Sequence, residues 1–296
     1  MISLKQLHYA LALNKTRHFN KAAALCSVSQ STLSSAIAEL ETQLGVQIFE
    51  RNTKNVYVTS IGAQLLERAS LIKSQVNDLY DLSQSLQAPL SFPLSLGVIP
   101  TVGPYLLPQV LPALRKQYPA LQLSIIEEQS HVLVEAVKSG ELDTAILALP
   151  YDTAGLHTFE FWQENFYSVF NSKDKQAKLS SIKGKELSKT KLLLLKDGNC
   201  LKDHALANCQ LQSSDAATSL TGTSLHTLVQ MVAGGMGSTI VPEMALPALI
   251  TQNNELTAVP INEPGPHRKL AFITRLNYAG VNSIELLMSL FREQLK

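Results

Sequence analysis

Apolar residues recur at helical spacing through the first third of the chain, and after that they fall in short runs set between helical stretches. Leu4, Leu7, Leu11 and Ala12 draw one stripe along a short helix over residues 4–14. A second helix is expected through Ala22, Ala23, Ala24 and Leu25, capped by Asn20, with alanines small enough to let another helix approach. After a tight turn at Ser27 and Val28, Ser29 is a good N-cap for a third helix. Its buried face is Leu33, Ile37, Leu40 and Leu44, and its stop is Gly45. Residues 46–49 and 56–59 read as a small β-ribbon with Arg51, Asn52, Thr53, Lys54 and Asn55 at its tip. From Thr59, a plausible cap, one long helix should follow, because residues 63–88 contain no proline or glycine. Leu65, Ile72, Leu79 and Leu86 recur every seven residues, and Ala69 and Val76 precede two of them by three, which makes an a/d seam. That seam could pack on the chain's own core or on a second copy. Residues 88–93, with two prolines and a serine, end the helix and form a joint.

Beyond the joint the pattern alternates. LSLGVI is a strand. Residues 105–118 are a helix with Leu106, Leu107, Val110, Leu111 and Leu114 inward. LQLSII, a helix over 131–139 closed by Gly140, and TAILAL follow. Strand and helix at this spacing imply an α/β fold with a parallel sheet covered by helices. A second set begins after about residue 162: FYSVF, KLLLL, a helix near Ser224, then STIVP. The strand near residues 270–274 and the helix over 281–295 should return to the first lobe. The expected organisation is residues 1–59, a linker helix 60–88, and a two-lobed domain 89–296. Its first lobe comprises about 89–161 and 268–296, and its second about 162–267. Ligands in such folds sit at the carboxyl ends of strands, which puts Thr101 and Ser130 at the cleft, although as turn or cap residues they would need no such role.

At 296 residues and 45% hydrophobic composition the chain can fill more than one core. Lys5, His8, Asn14, Lys15 and Arg17 break every early apolar run, so no signal peptide is expected, and no stretch reaches the ~18 apolar residues of a membrane span. A cytoplasmic protein is the expectation. The net charge of +1 decides nothing, but residues 1–60 carry Lys5, Lys15, Arg17, Lys21, Arg51 and Lys54 against Glu39, Glu41 and Glu50, a local +3. The outer face of the third helix shows Ser29, Gln30, Ser31, Thr32, Ser34 and Ser35. Short donors and acceptors of this kind suit a helix reading base edges in a major groove, with Arg51 and Lys54 on phosphate; a merely solvated face would look the same.

Three cysteines are too few for a disulfide framework. Cys26 reads as a small core residue. Cys200 follows the strand KLLLL and the turn KDGN, and CLKDHALANC has helical propensity. A thiol at a helix N-terminus, with Lys196 and Lys202 nearby, should have its thiolate stabilised, which makes it reactive toward peroxide. The sulfenic acid could then condense with Cys209. Two ordinary buried cysteines, or a zinc site of Cys200, His204 and Cys209, are the other readings, the last lacking a fourth ligand. In an intact helix Cys200 and Cys209 would stand ~13.5 Å apart, whereas a disulfide needs Cα atoms within ~7 Å, so oxidation would have to unwind the segment.

HFNKAAALCSVSQSTLSSAIAELETQLGVQIFERN, residues 18–52, resembles the winged helix-turn-helix of the LysR family of transcriptional regulators, departing where Ser31 replaces a common proline. GVIPTVGPYLLP (97–108), LDTAILAL (142–149) and DGNCLKDHALANC (197–209) extend the resemblance to the peroxide-sensing members of that family. The resemblance implies a periplasmic-binding-protein-like effector domain, peroxidatic Cys200, resolving Cys209, and Thr101, Ser130, Asn199, Lys202 and Asp203 around the peroxide. It further implies promoter DNA, a homodimer assembling to a homotetramer, RNA polymerase and a thiol reductant such as glutaredoxin as partners, with no cofactor, no metal and no enzymatic turnover. Asn199, Lys202, Ser130 and Ser219 stand where His, Arg, Thr and His are expected, and Lys offers a point charge where Arg offers a fixed fork. A regulator of the same family that binds a metabolite, and a thiol peroxidase, are the competing functions. The first would not need the cysteine pair, the second would not need the DNA-binding half.

Overall fold

A computed structural model of the chain describes residues 1–51, 56–85, 90–211, 216–222 and 224–296. The described residues divide into two compact units, one of Met1–Ser83 with Ser139–Glu141 and the other of Gln84–Lys138 with Leu142–Lys296.

The first unit holds α1 (Leu4–Thr16), α2 (Phe19–Leu25), α3 (Gln30–Leu44), the antiparallel ribbon β1 (Phe49–Arg51) and β2 (Val56–Val58), and most of α4 (Ser60–Ser85). Leu13, Ala22, Leu33, Ile37, Leu40, Phe49 and Leu66 form its core, with Cys26 partly buried against it. Ser29 Oγ accepts the Thr32 N–H at 3.1 Å, and Gly45 closes α3 at φ 69°, a left-handed position that suits glycine. Asn20 is not a cap, because α1 ends on left-handed Arg17 and α2 restarts at Phe19 with His18 in the cap position. The ribbon's register begins only at Phe49: Glu41 Oε1 accepts the backbone N–H groups of Ile48 (2.8 Å) and Phe49 (2.9 Å), while Ile48 keeps one cross-strand bond, its carbonyl accepting the Thr59 N–H at 3.0 Å. Thr59 Oγ1 accepts the Gly62 N–H at 2.9 Å, capping α4.

The second unit contains β3 (Pro93–Val98), α5 (Gly103–Gln117), β4 (Gln122–Glu127), α6 (Ser130–Lys138), β5 (Thr144–Leu149) and β6 (Leu156–Glu164), then crosses to β7 (Phe166–Asn171). α7 (Gly184–Leu187), β8 (Leu192–Leu195), α8 (Cys200–Asn208), β9 (Ala216–Gly222), α9 (Leu225–Ala233), β10 (Ser238–Pro242), α10 (Leu246–Leu249) and β11 (Leu256–Pro260) complete the second lobe. The chain then returns through β12 (Arg268–Arg275) and α11 (Val281–Gln294) to the first. The sheet orders are β4-β3-β5-β12-β6 and β11-β7-β10-β8-β9. The sheets are mixed, not parallel as expected, because each crossing segment reverses direction: β12 runs antiparallel to β5 and β6, and β7 antiparallel to β10 and β11. The effector unit is thus α/β with two lobes joined by two crossings, after Glu164 and before Arg268, and these bring the cysteine segment against the first lobe.

Candidate functional site

The turn before Cys200 needs Gly198, which sits at φ 90° with Gln129 Oε1 only 2.7 Å from where a Cβ would stand. Asn199 then occupies the cap position of α8. Its side chain turns back to donate to the Lys196 carbonyl at 3.1 Å instead of capping the helix. Cys200 opens α8 and Cys209 closes it, both buried and both free thiols. Burial pushes the Cys200 thiol above its ordinary value, and Asp203 adds to that. The Ser130 hydroxyl, Arg268 and the Ala148 N–H oppose it by favouring the thiolate. Ser130 Oγ is itself buried and makes no fully formed hydrogen bond. Cys209 lies deeper in effect: burial, then Glu263, pushes its thiol to about 12. A Cβ added at Gly184 would stand 2.5 Å from the Cys209 Cα, so the start of α7 seals the resolving cysteine. Such a thiol is inert until the segment opens.

The cation beside Cys200 is therefore not the expected lysine. Lys202 pairs with the exposed Asp197, and Lys196 is exposed. The charge comes from Arg268 at the start of β12, fully buried, whose guanidinium bonds Glu164 Oε1 at 2.7 Å and reaches Thr101 Oγ1 at 3.3 Å and the Thr101 carbonyl at 3.2 Å. Glu164 Oε2 accepts the Met244 N–H at 2.7 Å, so its charge is held from both lobes. Burial without a partner would make such charges untenable; fully bonded, they fix geometry. No periodicity marks Arg268, since a charge at a strand's first residue reads as exposed, and Glu164 at a strand's end is equally ambiguous.

Of the residues the resemblance implied, the structure brings Cys200 and Ser130 together and ties Thr101 to them through Arg268. Asp203 is exposed but acts on Cys200, whereas Asn199 and Lys202 bond within the turn that precedes the helix. Ser219 lies in β9. Among the described residues no group of three or more His, Cys, Asp or Glu is placed to hold a metal, so Cys200, His204 and Cys209 make no zinc site.

On the first unit, Ser29, Gln30, Ser31, Thr32 and Ser35 are exposed and Ser34 is half-buried, along one flank of α3. Arg51 ends β1, and Lys54, with the rest of the ribbon's tip, lies outside the described residues. Along α4, Leu65 packs into the core, but Ile72 is 44% exposed and Leu79 68%; Leu86 lies outside the described residues. Among the described residues no helix is long and apolar enough to cross a membrane.

Residues 4–68 match the bacterial regulatory helix-turn-helix protein family of LysR type, and residues 88–296 match the LysR substrate binding domain. The chain belongs to the LysR family of transcriptional regulators, a family of regulators and not of enzymes. It is 41% identical to the HTH-type transcriptional regulator EstR of Acinetobacter baylyi, over 92% of this chain and 90% of that one. It is 36% identical to the hydrogen peroxide-inducible genes activator of Dickeya chrysanthemi, over 93% and 90%. A solved structure of full-length OxyR from Pseudomonas aeruginosa, carrying a cysteine-to-aspartate substitution, superposes with a TM-score of 0.83 at 32% identity, covering 99% of this chain and 95% of that one.

Proposed function

We propose that this LysR-family regulator senses hydrogen peroxide through Cys200, forms a Cys200–Cys209 disulfide, and thereby controls transcription of antioxidant genes from the cytoplasm. The observation that carries the reading is the single helix with one free thiol at each end. One thiol lies against Ser130 and Arg268, and the other is sealed until the helix opens. The resemblance to the peroxide-inducible activator supports it. Peroxide oxidises Cys200 to a sulfenic acid, α8 unwinds, and Cys209 condenses with it. The new packing between the lobes shifts the spacing of two DNA-binding heads. A thiol reductant such as glutaredoxin returns the protein to its dithiol form. DNA footprints with reduced and peroxide-treated protein test this: the protected region should change length or position on oxidation, and identical footprints would contradict it.

The alternative is a regulator of the same family that answers a small metabolite, which would not need the cysteine pair. In that case Cys200→Ser would leave the response intact.

The exposed flank of α3 reads base edges, and Arg51 and Lys54 of the wing meet phosphate. Gln30→Ala or Thr32→Ala should each weaken specific DNA binding by ~1–3 kcal/mol without unfolding the unit. A titration showing unchanged affinity and sequence preference would remove α3 from the interface.

The exposed Ile72 and Leu79 on α4, one heptad apart, pair with a second copy. Edge strand β4, with Ile125 and Ile126 exposed, serves a further contact that builds the tetramer, which then presents the DNA heads to RNA polymerase. Ile72→Asp or Leu79→Asp should yield monomers of the α4 pairing in sedimentation, because a charge would be buried at the seam. Full retention of the assembly would place the seam elsewhere.

A further inference from the structure

His204 stands four residues after Cys200 on α8, so the two side chains share a flank of the helix with Cβ atoms about 5–6 Å apart. The end of β5 and its next residue lie against both. The Ala148 N–H favours the Cys200 thiolate, and the Pro150 carbonyl meets His204 Nε2 at 2.9 Å. A carbonyl only accepts, so Nε2 carries the ring proton and Nδ1 presents a bare lone pair. That Nδ1 is buried and has no hydrogen-bond partner, and the residue as a whole is 3% exposed. Ser130 Oγ, which acts on the Cys200 thiol, is a second buried polar atom without a full partner. Two buried polar atoms without a full partner, Nδ1 one helical turn from Cys200 and Ser130 Oγ against its thiol, mark a place where a small hydroxylic molecule completes the bonding.

Resting on the peroxide reading above, we propose that His204 is the catalytic base of Cys200 oxidation. Nδ1 takes the Cys200 S–H proton as the sulfur attacks the nearer oxygen of hydrogen peroxide. The S–O bond forms as the O–O bond breaks, and the proton passes from Nδ1 to the departing oxygen, which leaves as water. One thiol and one peroxide thus give one sulfenic acid and one water, the sulfur losing two electrons and the peroxide gaining them. This resolves the conflict between a thiol that burial keeps protonated and a chemistry that needs thiolate. The charged and titratable groups facing His204 are Arg268 from β12, held by Glu164, and Asp203 on its own helix; Cys200 shares both, and Tyr151 stands near Cys200 and Asp203. Burial, with Arg268 in support, keeps the imidazole below its ordinary value, so it remains a free base through neutral pH.

The test is the rate of Cys200 sulfenic acid formation with hydrogen peroxide. It is measured in the reduced full chain carrying Cys209→Ser, which stops oxidation at that stage, between pH 5.5 and 8.5 (about one unit below to two above the ordinary histidine value). With His204 present the rate should be nearly flat above neutrality and fall on the acid side. His204→Gln keeps an N–H for Pro150 and an acceptor in place of Nδ1 but cannot take a proton. It should slow the reaction at pH 7 by about 10²-fold or more, and restore a tenfold rise per pH unit as the thiol ionises. An unchanged rate and profile in His204→Gln would overturn the proposal. Should that variant fail to fold, a tenfold rise per pH unit in the protein with His204 intact overturns it equally. Absence of Cys200 oxidation at every pH would overturn the peroxide reading and this role together. Oxidation with an unaltered profile would overturn the role of His204 alone.

Discussion

Cys200→Ser is expected to abolish the peroxide response completely, while Cys209→Ser should still consume the first equivalent of peroxide but fail to hold the oxidised conformation. The asymmetry follows from the site. Cys200 has Ser130, Arg268 and the Ala148 N–H arranged to favour its thiolate. Cys209 has only burial and Glu263, and both work against ionisation. Its thiol gains its folded-state pKa of about 12 from an ordinary value of 9.0. Burial of Cys209 in the dithiol form is therefore favoured below pH 9, and that advantage is lost as pH rises from 9 toward 12. Mass spectrometry of trapped sulfenic acid and of the disulfide separates the two variants. A peroxide-driven change in DNA binding surviving in Cys200→Ser would contradict the assignment.

Arg268→Ala should be the most destabilising single change in the effector domain, costing about 3–5 kcal/mol. It would leave Glu164 charged and buried, bonded only by the Met244 N–H, and would release both Thr101 contacts. Because the ion pair joins the two crossings, the loss falls on the geometry that holds the lobes together as well as on Cys200. Denaturant unfolding gives the value directly. A cost below about 1 kcal/mol would mean that the pair is replaced by water or relaxes without strain, as exposed pairs do. The double variant Arg268→Met with Glu164→Met should recover much of the loss, since the penalty comes from the orphaned charge.

Much of this fold was legible because the relevant signals are local. The caps at Ser29 and Thr59, the stop at Gly45, and the apolar faces of α3 and α5 each follow from a few neighbouring residues. What periodicity could not supply was long-range. The reversal of β12 against β5 and β6 depends on where the two crossings lie, and β6, β9 and β11 carry no run strong enough to declare themselves. The site divides in the same way. Cys200, Cys209, Thr101 and Ser130 were marked by motif and by their place at strand ends. Arg268 and Glu164 became visible only when residues 104 positions apart met. The lysines suggested by proximity in sequence proved to face the turn and solvent, because a helix start exposes the residues flanking its cap more readily than those arriving from another lobe. Asn20 failed as a cap for a related reason: the left-handed turn at Arg17 had already set where α2 begins.

Oxidation is expected to dismantle α8, because nine residues of helix hold the two cysteines too far apart to bond. Hydrogen exchange across residues 200–209, compared between reduced and peroxide-oxidised protein, tests it most directly. Exchange through α8 should be slow in the dithiol form, and that protection should be lost once the disulfide forms. Equal protection in both forms, with the disulfide present, would contradict it.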